Sequence, residues 1–366
     1  MKVTKAEVIR ARERIRLPEP WRPAWREPAG EPVTSFSFSF YKVLTDEGIV
    51  GIGPYTGADP GLVEGVDPFL VEKFWNGHMR EPQSSNSQKG AAGLEIALWD
   101  IIGKAANLPV CKLLGGCRDR ILAYAATSRL LTIDQHVEQV RNLMMQGFKA
   151  VKLRLHRPDP QDDLAVVEAV REAVGDDMMI LADANQNHVS EGYSVWSRNT
   201  AFEVAKRLQQ LNVNFLEEPL PETDLDGLSE LAASLKIPIA GGEQIHSPYG
   251  FKEFVLRDAY DILQPDVILG GNMGMSGLRK VANMADYFGK QIVPHILSGG
   301  RFPFALAATL HVMGSVHNCP MVEYPYDPPF LTVETCQSKV IEPFWIDEDG
   351  FVKIPDKPGL GLELSC

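Results

Sequence analysis

Short β-rich runs recur along the middle of this chain at a nearly constant step, and that regularity limits the architecture more than any other feature. The runs cover residues 121–128, 150–156, 178–186, 213–220, 237–244, 261–268, 291–297 and 320–326. Segments with helical spacing lie between them, as in Val137, Val140, Leu143 and Met144. Strands alternating with helices imply parallel βαβ units, because parallel neighbours need a long crossover. Eight runs at a step of about 30 residues predict a (β/α)7β barrel of the TIM type over residues 121–326. A doubly wound parallel sheet is the alternative, but no glycine-rich phosphate loop follows any early strand.

The flanking regions have a different pattern. Residues 1–120 open with strand-like alternation, then a loop rich in Pro, Trp and Arg from Pro18 to Pro32. The stretch from Ser35 to Phe40 alternates strictly, which predicts one strand with Phe36, Phe38 and Phe40 on a single face. Thr45-Asp-Glu-Gly48 predicts a hairpin turn, and the stretch from Gly93 to Gly103 an amphipathic helix. This first region reads as a small α+β domain. Residues 327–366, with turns at Asp349-Gly350 and Pro358-Gly-Leu-Gly361, are expected to pack back onto it.

Composition narrows the function classes. The 366 residues carry a formal net charge of -12, with 45% hydrophobic and 23% charged residues. That is the make-up of a soluble enzyme, and it lacks the basic stripe of a nucleic-acid binder. An anionic ligand would gain no long-range attraction and must be held by local cations. No stretch approaches the apolar length of a membrane span, and the charged N-terminus has no signal-peptide core. Five scattered cysteines without a CxxC (Cys111, Cys117, Cys319, Cys336 and Cys366) fit a reduced, cytoplasmic protein.

In a barrel, chemistry sits at the carboxyl ends of the strands. Reading the polar residue at each end gives Lys152 and Arg154, then Asp183 and Asn185, then Glu217, Glu243, Asp266, His295 and Glu323. Asp183, Glu217 and Glu243 recur at about one βα step and would converge on one mouth. Three unpaired carboxylates repel, so a hard divalent cation with oxygen ligands is the economical explanation, and Mg2+ fits best. A single such acid is more often a loop residue or a helix cap; the shared phase is what favours the metal. Asp266 and His295 end adjacent strands, and an aspartate beside an imidazole raises its basicity and fixes its tautomer. Lys152 and Arg154, two apart on an extended strand, point to the same side; an edge salt bridge is the plainer reading of that pair.

The order Lys-x-Arg, Asp-Ala-Asn, Glu-Glu-Pro, Gly-Gly-Glu, Asp, His and Glu resembles the mandelate racemase subgroup of the enolase superfamily. The resemblance spans most of the chain and implies an N-terminal capping domain completed by the C-terminal segment. It implies Mg2+ held by Asp183, Glu217 and Glu243, with the His295–Asp266 dyad as base. Glu323 would be a hydrogen-bonding acid to the substrate carboxylate, and Asn185 would sit near the α-hydroxyl. The resemblance also suggests a symmetric homo-oligomer. Its chemistry is abstraction of the proton α to a carboxylate through an ene-diolate.

One departure bears on the reaction. The family's familiar second lysine is Arg154 here, and a guanidinium is a poor base. Racemisation needs a base on each face of the carbon. A single base favours loss of a β-hydroxyl, which dehydrates a sugar acid to a 2-keto-3-deoxy acid. Lys152 would then stabilise the carboxylate, and Arg154 would bind it or assist the leaving group. The leaving group's proton would come from His295 or from the second barrel strand. A racemase or epimerase using Lys152, and a catalytically silent binding protein, are the alternatives.

Among lesser features, Trp25 and Arg26 lie in the loop the family places over the site, where they would clamp substrate; a plain surface loop explains them equally well. His246 and Asn272 are weaker substrate contacts, as are Tyr124, Thr127 and Ser128. His78, His136, His156, His188, His311 and His317 share no phase with the ligand set and read as structural or solvated.

Overall fold

The computed structural model describes residues 1–79, 90–187, 191–271 and 273–365; His188, Asn272 and Cys366 lie outside them. The chain opens with β1 (Val3–Arg10), β2 (Ile15–Trp21), β3 (Val33–Phe36), β4 (Ser39–Thr45) and β5 (Val50–Pro54). Helices α1 (Val71–His78), α2 (Ala92–Ala105) and α3 (Val110–Leu113) follow. β1, β4 and β5 form an antiparallel sheet, with Gly48 turning the β4–β5 hairpin at φ 78°.

The alternation from Ser35 to Phe40 is not one strand. It breaks between β3, which pairs with β2, and β4, which belongs to the three-stranded sheet. Alternation records which face is apolar, not whether the ladder is continuous. The apolar face itself persists, because Phe38 and Phe40 both pack on Phe304, at 5.9 and 6.0 Å.

Helix α2 also departs from the expected amphipathic form, since nearly every residue from Ala92 to Gly103 is buried. It is wedged between the cap sheet and the barrel. Gly53 shows how tightly: a Cβ there would lie 2.0 Å from the Gly93 carbonyl oxygen. Its buried acids are therefore paired. Glu95 accepts the Met275 and Ser276 N–H groups at 2.9 and 3.0 Å. Asp100 accepts Ile52 N–H and Leu360 N–H, both at 2.9 Å, so the C-terminal segment is tied to α2.

Eight parallel strands follow, namely β6 (Arg120–Ala126), β7 (Ala150–Arg154), β8 (Met179–Asp183), β9 (Leu216–Glu217), β10 (Ile239–Gly241), β11 (Ile262–Leu263), β12 (Gln291–Ile292) and β13 (Met321–Pro325). They alternate with α4 (Ile133–Met145), α5 (Pro160–Val174), α6 (Arg198–Gln210), α7 (Leu225–Ser234), α8 (Phe251–Leu256), α9 (Gly274–Tyr287) and α10 (Phe302–Met313). The sheet runs β12-β11-β10-β9-β8-β7-β6-β13. Across the remaining seam, Ile292 N–H reaches the Asn318 carbonyl at 3.1 Å, just ahead of β13. The barrel is of the TIM type. After it come α11 (Val333–Cys336) and β14 (Phe351–Lys353), which pairs antiparallel with the start of β6. No helix among the described residues is long and apolar enough to cross a membrane.

Two buried histidines accept backbone N–H groups. His136 Nε2 takes Leu131 N–H at 3.1 Å, and His311 Nδ1 takes Cys111 N–H at 3.0 Å. Burial is the main cause pushing both imidazoles down to about 4. Between about pH 6.5 and 4 the unfolded chain thus binds protons that the folded one refuses. Stability should fall as pH drops through that window, by up to roughly 3 kcal/mol per histidine. Asp163, which burial raises to about 6, works in the opposite sense. Urea unfolding across that range should therefore show a flatter pH slope in His311→Asn than in the wild type. Equal slopes would mean that His311 does not contribute.

Candidate active site

One apolar residue from each barrel strand or its edge fills the interior, and these set the phase of everything above them. The layer includes Tyr124, Ala150, Leu181, Phe215, Ala240, Ile262, Val293 and Met321, with Ala126 above Tyr124 on β6. Because strand side chains alternate, steps of two toward the carboxyl end stay inside. From Ala150 they reach Lys152 and Arg154; from Leu181, Asp183 and Asn185. Phe215 leads to Glu217, Ile262 to Gln264 and Asp266, Val293 to His295, and Met321 to Glu323.

Strand β10 breaks the rule, since Glu243 lies three beyond Ala240. Gly242, at φ 112°, absorbs the extra residue in a conformation that L side chains rarely adopt. A Cβ there would also stand 2.5 Å from the Phe251 ring. Gly242→Ala is expected to cost about 2–4 kcal/mol and to displace Glu243. Urea unfolding and Mg2+ titration would check this, and a variant unchanged in both would remove the assigned role of Gly242.

Prolines stop the ladders where the polar groups begin, because they donate no N–H. Pro219 follows the Glu217–Glu218 pair, Pro265 precedes Asp266, and Pro294 precedes His295. Asn185 and Glu218 sit at φ 49° and 46°, a strained setting for residues with a Cβ.

Cations and carboxylates interlock at the mouth. The fully buried Lys152 Nζ lies 2.8 Å from Glu217 Oε2, 2.9 Å from Glu323 Oε1 and 3.8 Å from Asp183 Oδ2. Burial opposes its charge, but Glu217 and Glu323 outweigh that and hold it far above the usual lysine range. Arg154 pairs with Asp183, donates from Nε to the Thr127 carbonyl at 2.7 Å, and is likewise held charged. His295 Nδ1 is 2.7 Å from Asp266 Oδ2, and its Nε2 is 3.3 Å from Glu243 Oε2. Asp266 is itself oriented by Ile268 and Leu269 N–H groups at 2.7 and 2.6 Å. Burial disfavours the imidazolium, yet Glu243, Glu323 and the hydrogen bond to Asp266 push His295 up to about 10. Glu323 is pulled below the usual carboxylate range, because Lys152 outweighs its burial. That favours the carboxylate over the acid form that the resemblance implied.

The donor set suits a hard divalent cation. Carboxylates outnumber cations at the mouth, and Glu217 Oε1 is buried with no hydrogen-bond partner among the described residues. That leaves a lone pair in need of a positive partner. The expected ligands are not gathered on one point: among the described residues, no three His, Cys, Asp or Glu side chains form a ready-made metal cage. Asp183 turns to Arg154, Glu217 to Lys152 and Glu243 to His295.

The cavity above is lined by Trp25, Ser128, Arg154, Asn185, Glu243, His295 and Glu323, among others. Three of the expected substrate contacts are not on its wall. Lys152 is fully buried behind it between Glu217 and Glu323. Arg26 is exposed and donates to the Glu31 carbonyl at 2.9 Å within its own loop. His246 packs against Gly270, where a Cβ would lie 2.3 Å from the ring. Tyr124 lies beneath Lys152, and the Thr127 hydroxyl is spent on the Lys152 carbonyl. Gln264, which donates to Glu217 Oε2 at 2.9 Å, went unread although its position two before Asp266 is in phase. Leu331 also lines the cavity from beyond the last barrel strand, where no period points to it.

Residues 135–365 match the model of the enolase C-terminal domain-like family, and residues 13–115 that of the mandelate racemase/muconate lactonizing enzyme N-terminal domain. The chain belongs to the enolase superfamily, in its mandelate racemase subgroup. This superfamily member is 32% identical to an arabinonate dehydratase of Saccharolobus solfataricus over 84% of its own length and 77% of that protein. It is 33% identical to a D-galactarolactone cycloisomerase of Agrobacterium fabrum, with 88% of each chain covered. A crystal structure of L-talarate dehydratase from a Polaromonas species, complexed with Mg and L-glucarate, superposes with a TM-score of 0.81 at 27% identity, covering 100% of this chain and 95% of that one.

Proposed function

We propose that this chain is an Mg2+-dependent acid-sugar dehydratase, a carbon–oxygen lyase that yields a 2-keto-3-deoxy acid. One observation carries the reading: the cavity wall offers an Asp-oriented imidazole on one strand and the Arg154 guanidinium on another, while Lys152 is buried between Glu217 and Glu323. A guanidinium is a poor base and the buried ammonium does not reach the cavity, so the imidazole is the competent base on its wall. That disfavours racemisation and leaves elimination.

Asp183, Glu217 and Glu243 would hold the ion. When bound, Mg2+ supplies positive charge beside the substrate carboxylate, offsetting the negative charge that develops as the α-proton leaves. His295 Nε2 takes that proton, with Asp266 holding Nδ1–H and the ring angle. To be a base, His295 must first be free of its proton, which requires Glu243 to be engaged elsewhere; the same carboxylate is an expected ligand. Arg154 binds substrate oxygens as a fixed donor, and Lys152 behind the wall neutralises Glu217 and Glu323. The departing β-hydroxyl needs a proton, and His295, which has just acquired one, is a better source than either locked cation.

The test is a panel of mono- and diacid sugars, lactones and anhydro acids assayed with Mg2+ for keto-acid formation. Keto acid without recovery of both α-configurations is expected. Both configurations with α-deuterium and no keto acid would establish an epimerase instead. Ring opening without water loss would point to a cycloisomerase, as in one of the relatives. No turnover at all would favour a binding protein. Mg2+ should also raise the melting temperature, and Glu217→Gln should lose that response.

A further inference from the structure

The end of β2 and the loop after it bring two indoles to the barrel mouth, each tied to a different barrel residue. Trp21 Nε1 donates to Ser128 Oγ at 3.0 Å, and Ala24 N–H donates to the Ser128 carbonyl at 2.7 Å. The Ser128 hydroxyl in turn donates to the buried Asp327. These bonds set the register of the loop on the barrel. In that register Trp25 meets Trp21 edge-on at 6.0 Å and covers the Arg154 guanidinium, whose Cζ lies 4.9 Å from its ring centroid.

Arg154 is otherwise held by hydrogen bonds from Nε and Nη1. Nε donates to Thr127, and Nη1 to Asp183 and, at 3.3 Å, to Asn185. Nη2 makes no hydrogen bond among the described residues, although Arg154 lines the cavity. Hydrogen bonds from Nε and Nη1 leave the faces of the guanidinium uncovered; an aromatic ring against one face resists tilting and favours its charge.

We propose that Trp25 is a positioning residue that acts on the reaction through Arg154, holding the guanidinium so that Nη2 is presented to substrate oxygens. The inference rests on the dehydratase reading above. A direct substrate contact by Trp25 is the competing account, and coupling between the two residues separates them.

Trp25→Ala should lower kcat/KM by roughly ten- to thirtyfold, the range of a desolvated cation–π contact, while Trp25→Phe stays within about threefold of wild type. In an Arg154→Ala background, Trp25→Ala should cost almost nothing further. Equal losses in both backgrounds would overturn the proposal and leave Trp25 acting on its own. A readout independent of turnover uses the Arg154 Nε–H resonance, assigned by its disappearance in Arg154→Ala. Ring current should shift it upfield in the wild type and in Trp25→Phe, and that shift should be lost in Trp25→Ala. A resonance unmoved by Trp25→Ala would also overturn the proposal. Lack of turnover by the wild type on every acid sugar would overturn the dehydratase reading instead, with the resonance still deciding the contact.

Discussion

His295→Asn is expected to lower dehydration by about a thousandfold or more, while the Mg2+-dependent gain in melting temperature persists. Asparagine can still donate to Asp266 from its side-chain amide, so the loop held through Ile268 and Leu269 keeps its anchor. It lacks a nitrogen able to take a proton. Exchange of the α-proton with solvent deuterium should disappear together with keto-acid formation, because both depend on the same abstraction. Exchange that continued in the variant would assign the base elsewhere. Loss of Mg2+ binding would mean that the 3.3 Å contact with Glu243 is needed to place that ligand.

Lys152→Met is expected to abolish turnover and to cost about 3–5 kcal/mol of stability at neutral pH. The ammonium lies between Glu217 and Glu323, at 2.8 and 2.9 Å, and none of the three side chains is appreciably exposed. Removing it strands two negative charges in the barrel interior. Methionine keeps most of the volume, so the loss reflects charge and not a cavity. The deficit should shrink in acid, where protonation of the stranded carboxylates removes the uncompensated charge. Lys152→Arg is not expected to restore activity, because a planar fork cannot replace a compact ammonium among three acids. Urea unfolding at two pH values checks the prediction. A deficit below about 1 kcal/mol at neutral pH would show that the carboxylates find other partners.

Much of the architecture was legible because it is written locally. The apolar runs, their step and the polar residue ending each run all depend on short-range periodicity, and the eight strands lie where those runs fall. The elements read differently are those in which two surfaces compete for one segment. α2 is buried all round because a sheet and a barrel both claim it, and the Ser35–Phe40 alternation is divided because its ends join different sheets.

The site divides along the same line. Residue identity and strand position, read from the sequence alone, determined which polar residue ends each barrel strand and that an imidazole and an aspartate end neighbouring strands. Only the tertiary structure decided which charge neutralises which, because electrostatic pairing depends on distances between strands that lie far apart in sequence. It gave Glu217 to Lys152, Asp183 to Arg154 and Glu243 to His295. It also turned Arg26 away to Glu31 while laying its neighbour Trp25 on Arg154, a choice fixed by two hydrogen bonds to Ser128. Periodicity reports the face a residue occupies; the partner waiting there is set by packing.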